Sequence, residues 1–158
     1  MPLFLYKALG FETFKMFSKE ESKLLRQEFW TSFGKSFPRK WTLYDTKLKG
    51  FSFKFVADRK KALVSLDIEN PDELVNLLYF DQLISLKTLL QNELPKIVFN
   101  SEYELENGKK IHRIYVPFEG DFSIYNKNTW RDCFEFFEHT MAKFEVFYYE
   151  YEDFIKNI

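Results

Sequence analysis

Phe51-Ser52-Phe53-Lys54-Phe55-Val56-Ala57-Asp58-Arg59-Lys60-Lys61-Ala62-Leu63-Val64-Ser65-Leu66-Asp67-Ile68 is the stretch that decides the fold. Phe51, Phe53 and Phe55 alternate with Ser52 and Lys54, and Ala62, Val64, Leu66 and Ile68 alternate with Leu63, Ser65 and Asp67. A period of two places alternate side chains on opposite faces of a strand. Asp58-Arg59-Lys60-Lys61 between the two runs is a polar turn, so the stretch predicts an antiparallel hairpin. A turn centred on Arg59-Lys60 sets Phe55 opposite Val64, Phe53 opposite Leu66 and Lys54 opposite Ser65, with Lys54 diagonal to Asp67.

Upstream, Ser18-Lys19-Glu20-Glu21 is a capping box that starts a helix. Leu25, Phe29, Phe33 and Phe37 then recur at spacing four, and Pro38 ends the helix near residue 36. Trp41 to Tyr44 is a short strand candidate. Downstream, Asn70-Pro71-Asp72-Glu73 opens a second helix, whose leucines and Ile84 give one broad apolar face up to Pro95. Asn107-Gly108 marks a second hairpin. A two-residue turn there pairs Glu102 with Arg113, Tyr103 with His112 and Leu105 with Lys110. From about Asn126 or Asn128 onward, Trp130, Phe134, Phe137, Met141, Phe144, Tyr148, Tyr151 and Ile155 alternate spacings of four and three, which predicts one long aromatic helix. The expected fold is α+β, an antiparallel sheet of two hairpins packed against three helices. Residues 1–15 are expected to be an N-terminal extension, and 16–158 a single domain.

The chain has 158 residues, of which 32 are Phe, Tyr or Trp, and a net charge of −1. Few Gly and Pro argue against disorder or a fibrous repeat. The single Cys133 forms no internal disulfide, and no segment has a signal-peptide core or the ~18 apolar residues of a membrane span. The expectation is a cytoplasmic protein without a membrane association. Most aromatics fall on core faces, which leaves Trp41 and Tyr44 as candidate stacking contacts.

The stretch Met16-Phe17-Ser18-Lys19-Glu20-Glu21, with Glu28-Phe29-Trp30-Thr31-Ser32-Phe33-Gly34, resembles the opening of a family of small bacterial proteins defined only as a domain of unknown function. Lys49-Gly50-Phe51, Ala57-Asp58-Arg59-Lys60-Lys61-Ala62, Arg113-Ile114-Tyr115, Asn126-Lys127, Trp130 and the aromatic helix are similar to the same family. The resemblance covers most of residues 16–155, and members begin near Met16. It implies no established activity. The domain also occurs C-terminal to nuclease-like domains, which implies an association with nucleic acid.

The residues themselves offer three chemistries. Residues 35–61 hold nine basic side chains against Asp45 and Asp58, while residues 62–95 and 131–158 are acidic. Such a block is a candidate phosphate-binding face, with Arg39, Lys40, Trp41, Tyr44, Arg59, Lys60 and Lys61 as its contacts. Asp67, Glu69 and Lys54 form a second constellation. The order helix, three strands, helix, strand resembles restriction-endonuclease-like nucleases, where strand carboxylates hold a divalent cation beside a phosphodiester. Their signature acid, one residue, then Lys is not met by Asp67 or Glu69, so Lys54 would have to substitute from the neighbouring strand. The third is a protein-interaction role, including a homodimer through the C-terminal helix. His112 and His139 lack neighbours at ligand spacing, so no metal site or cofactor is expected. No glycine-rich phosphate loop or Gly-x-Ser-x-Gly elbow is present. The leading expectation is a non-catalytic binding or accessory module associated with nucleic acid; the alternatives are a degenerate metal-dependent nuclease and a protein-interaction module.

Overall fold

The computed structural model describes residues 18–39, 41 and 45–158. The expected extension, Lys40 and most of the Trp41–Tyr44 strand lie outside the described residues. Among those described, the chain runs α1 (Lys19–Ser36), β1 (Phe51–Ala57), β2 (Ala62–Ile68), α2 (Glu73–Ser85), α3 (Lys87–Glu93), β3 (Val98–Glu104), β4 (Lys110–Pro117), a 3-10 turn (Lys127–Thr129) and α4 (Trp130–Lys156). The fold is α+β: one four-stranded antiparallel sheet in the order β1-β2-β4-β3, covered by helices that include a long aromatic C-terminal one.

The first hairpin has the register its sequence dictates. Phe55 pairs with Val64, Phe53 with Leu66 and Lys54 with Ser65. Asp58 holds the turn by accepting hydrogen bonds from the backbone N–H groups of Lys60 (3.0 Å) and Lys61 (2.9 Å). At the other end Gly50 sits at φ 69°, where a Cβ would lie 2.5 Å from the Asn70 backbone nitrogen. Only glycine fits both that left-handed conformation and the close approach. β2 is buried along its whole length, because β1 and β4 flank it on both sides.

The second hairpin departs from the two-residue reading. Glu104 pairs with Lys110 and Tyr103 with Ile111, which leaves a three-residue loop, Glu106-Asn107-Gly108. Gly108 N–H donates to the Leu105 carbonyl, Leu105 N–H donates to the Lys109 carbonyl, and Gly108 adopts φ 85°. This is the type I turn with a glycine bulge, the next commonest hairpin solution. A further register shift lies between Asn100 and Tyr103, so Arg113 faces Asn100 rather than Glu102. On its other side Arg113 faces Asp67 of β2.

The second helix is also not continuous. It breaks at Leu86, whose N–H bonds to the carbonyls of Leu83 and Ile84, and restarts as α3. The break lets Leu83, Leu86, Leu90 and Leu94 all reach the core, whereas Leu74, Leu77 and Leu78, read above as part of one broad face, stay 40–63% exposed. The expected three helices are therefore four among the described residues.

The core lies between the sheet and α4. Phe53 meets Phe144 and Tyr148 at 5.5 Å between ring centroids, and Phe55 meets Phe137 at 4.9 Å. α1 packs over this layer through fully buried Phe29, which contacts Trp130, Phe134 and Phe122. Burying such rings is the main apolar stabilisation of a small core. The apolar seam of α4, the helix read above as a homodimer contact, is engaged by the protein's own sheet and α1.

Candidate nucleic-acid interface

The basic block of the sequence does not form one face. Arg39 pairs with Glu145 and Glu138 on α4, and its guanidinium lies 4.4 Å over the Trp41 ring. Trp41 is itself buried against Phe55, which removes it as a stacking contact. Lys47 pairs with Asp45. Lys40 and Tyr44 lie outside the described residues. Of the seven residues read as contacts, what remains is the tip of the first hairpin, Arg59, Lys60 and Lys61, all exposed.

That tip stands beside α1. Lys19, Lys23, Arg26 and Trp30 of α1 line a groove of about 620 Å³ together with Arg59 and Tyr125. A second hollow of about 620 Å³ continues from Arg26 and Arg59 to Lys60 and Lys61. A third, of about 240 Å³, reaches Tyr103 and Arg113 on the sheet. Two bonds from the segment before α4 fix the walls: the Tyr125 hydroxyl bonds to Ser22 Oγ at 3.3 Å, and Lys127 bonds to Glu28 at 2.6 Å. Six cationic side chains face the first two hollows, against Asp58 and Glu106. Asp58 is engaged by the hairpin backbone. Lys61 donates to the Tyr103 hydroxyl at 3.3 Å, and this bond holds its ammonium above the ordinary lysine range although partial burial opposes the shift. It is therefore charged throughout the neutral range.

Lys19, Lys23 and Arg26 escaped the sequence reading because three glutamates bring the net charge of α1 down to +1. The helical period separates what the sum conceals. At 100° per residue Lys19, Lys23, Arg26 and Trp30 fall within about 60° of one another, and Glu20, Glu21 and Glu28 lie about 60° or more away. A helical plot would have found the stripe.

The acidic constellation does come together. Lys54 Nζ lies 3.5 Å from Asp67 and 3.2 Å from Glu69, and Lys109 reaches Glu69 at 3.1 Å. The decisive partner is Arg113, which donates from Nε and Nη2 to the two oxygens of Asp67 at 2.7 and 2.8 Å. Asp67 is fully buried, Arg113 is 5% exposed, and the Tyr103 ring covers the guanidinium at 4.4 Å. Burial opposes the charge of Arg113, but the Asp67 carboxylate prevails and holds its pKa up. Both Asp67 oxygens serve a bidentate ion pair and Lys54 stands 3.5 Å from one of them, so a metal cation there would compete with two protein cations already in place. Glu69 is held below the ordinary carboxylate range: burial opposes this, and Lys109 and Lys54 outweigh it. Among the described residues no three His, Cys, Asp or Glu side chains are gathered closely enough to hold a metal ion. Cys133 is buried on α4, and desolvation pushes its thiol up to about 12.

The family described as a domain of unknown function, DUF4268, matches residues 25–152. The chain belongs to this family. No curated protein and no solved structure matches the chain. In this DUF4268 protein the matched span contains the whole sheet, α4 as far as Glu152 and the Arg26–Trp30 wall of the groove. No helix of the described residues is long and apolar enough to cross a membrane.

Proposed function

We propose that this DUF4268 protein is a non-catalytic module that binds nucleic acid through the groove between α1 and the first hairpin. One observation carries the reading: Lys19, Lys23, Arg26, Arg59, Lys60 and Lys61, from two separate elements, line two adjoining hollows that share Arg26 and Arg59. Converging cations neutralise phosphates and release their counterions, which supplies most of the affinity for a nucleic-acid backbone. The buried thiol of Cys133 suits a reducing compartment, where such a partner is found. The non-catalytic part of the reading rests on Asp67, whose oxygens are occupied by Arg113. Nicking by Mg²⁺ or Mn²⁺ that disappears in an Asp67→Ala, Glu69→Ala protein would overturn that part.

The test of binding separates the groove from the sequence block. Charge reversal of Arg59, Lys60 and Lys61 to Glu is expected to weaken binding of a labelled oligonucleotide by at least about tenfold at low salt. Reversal of Lys47 and Lys49, in the same block but outside the groove, is expected to leave it within about twofold. Equal effects of the two triple and double variants would contradict the groove. A second reading, self-association through the outer side of α4, is favoured by Val146 and Tyr149, which are 69% and 52% exposed there. A monomeric mass by light scattering at high concentration removes it.

A further inference from the structure

We infer that the groove takes a single strand rather than a duplex, with an unpaired base stacked on Trp30. The inference rests on the nucleic-acid reading above and adds the class of ligand. Three observations point to it.

First, the groove is open and partly aromatic. A duplex keeps its bases inside, so it offers phosphates to the cations but no base face to Trp30. A single strand exposes both the backbone for Lys19, Lys23, Arg26 and Arg59 and a base for the ring between them. Second, Trp30 is held ready for this. It is 37% exposed, while its ring lies parallel to Phe137 at 5.9 Å and edge-on to Phe29 at 4.9 Å. A ring fixed by its own neighbours loses little conformational entropy when a base joins the stack. Third, Trp30 also lines a hollow of about 400 Å³ along Ser52, Lys54 and Phe55 of β1, the edge strand of the sheet. A base on Trp30 therefore has the cationic groove on one side and a second hollow for its neighbour on the other.

The tryptophans make the test direct. Trp41 and Trp130 are 6% and 5% exposed, so Trp30 is the accessible indole of the three. The full chain is titrated with a single-stranded oligonucleotide, the same sequence as a duplex, and inorganic polyphosphate as a backbone without bases. The single strand is expected to quench tryptophan fluorescence and to bind roughly tenfold or more tighter than the duplex; polyphosphate is expected to bind without quenching. Trp30→Ala is expected to weaken single-strand binding by roughly 5- to 150-fold with the salt slope unchanged, since stacking and phosphate contacts are separate contributions. Trp30→Phe, which keeps a ring in the stack, is expected to stay within a few-fold of the wild type and guards against a folding defect in the alanine variant. Equal or tighter duplex binding, or single-strand binding without quenching, overturns the inference and leaves the cationic groove standing. Absence of binding to all three probes at low salt overturns the groove and the inference with it.

Discussion

Asp67→Ala tests the polar centre of the sheet. The substitution removes the partner of Arg113, a guanidinium 5% exposed between β2 and the Tyr103 ring, and leaves a buried charge with no carboxylate. It also removes one of two acids near Lys54, but Lys54 is half-exposed and keeps Glu69 at 3.2 Å, so its loss is minor. The cost is therefore set by Arg113. Breaking one side of a buried pair costs about 3–5 kcal/mol. For a domain of this size each 1 kcal/mol moves Tm by about 2–4 °C, so the expected fall is about 6–20 °C. Urea or thermal unfolding followed by circular dichroism reads it. The double variant Asp67→Leu, Arg113→Met removes both charges and is expected to recover most of the loss, because a buried pair and apolar side chains of similar volume are often equivalent in energy. A single-variant loss below about 1 kcal/mol, or a double variant no better than the single, would refute the assignment of the cost to an orphaned charge.

Three further outcomes follow from local geometry. Gly50→Ala is expected to cost about 1–3 kcal/mol in the same unfolding assay, because φ 69° and the Asn70 backbone 2.5 Å away both reject a Cβ. Cys133, with its thiol raised to about 12, is expected to resist a thiol reagent at neutral pH in the native protein and to react rapidly once urea unfolds it. Glu73, through its bond to His112, and Glu69, through Lys109 and Lys54 against burial, have folded pKa values below their ordinary 4.5. Their stabilisation is fully present above that value and is lost as pH falls through the depressed values. Stability measured against pH is expected to hold level at neutral pH and to fall on the acid side, less steeply in a Glu69→Gln, Glu73→Gln protein.

The parts of this fold legible in the sequence were those fixed by neighbours in the chain. The 51–68 register followed from alternation and a turn whose Asp58 satisfies its own backbone. The start of α1 followed from Ser18, which accepts from Glu21 N–H. The Asn107-Gly108 hairpin was legible as a hairpin but not in register, since one left-handed glycine serves a two-residue and a three-residue loop equally well. That ambiguity hid the choice of Asp67 over Glu102 as the partner of Arg113, a choice made by β4 docking on β2, which no local pattern records. The groove was half legible. Arg59, Lys60 and Lys61 stand out as a charge run, but their companions on α1 are masked by interleaved glutamates until the helical period separates them. Arg39 and Trp41, read as contacts, are held instead by α4 and by Phe55.

The measurement that tests the central claim most directly is the salt dependence of single-strand binding by the wild type and by a Lys19→Ala, Lys23→Ala, Arg26→Ala protein. Six neutralised phosphates give a slope of log K against log salt of about −4, at about −0.7 per contact. If α1 and the hairpin tip form one groove, the triple variant binds more weakly and its slope falls to about −2. A variant with the wild-type affinity and slope would show that α1 takes no part, and would contradict the groove.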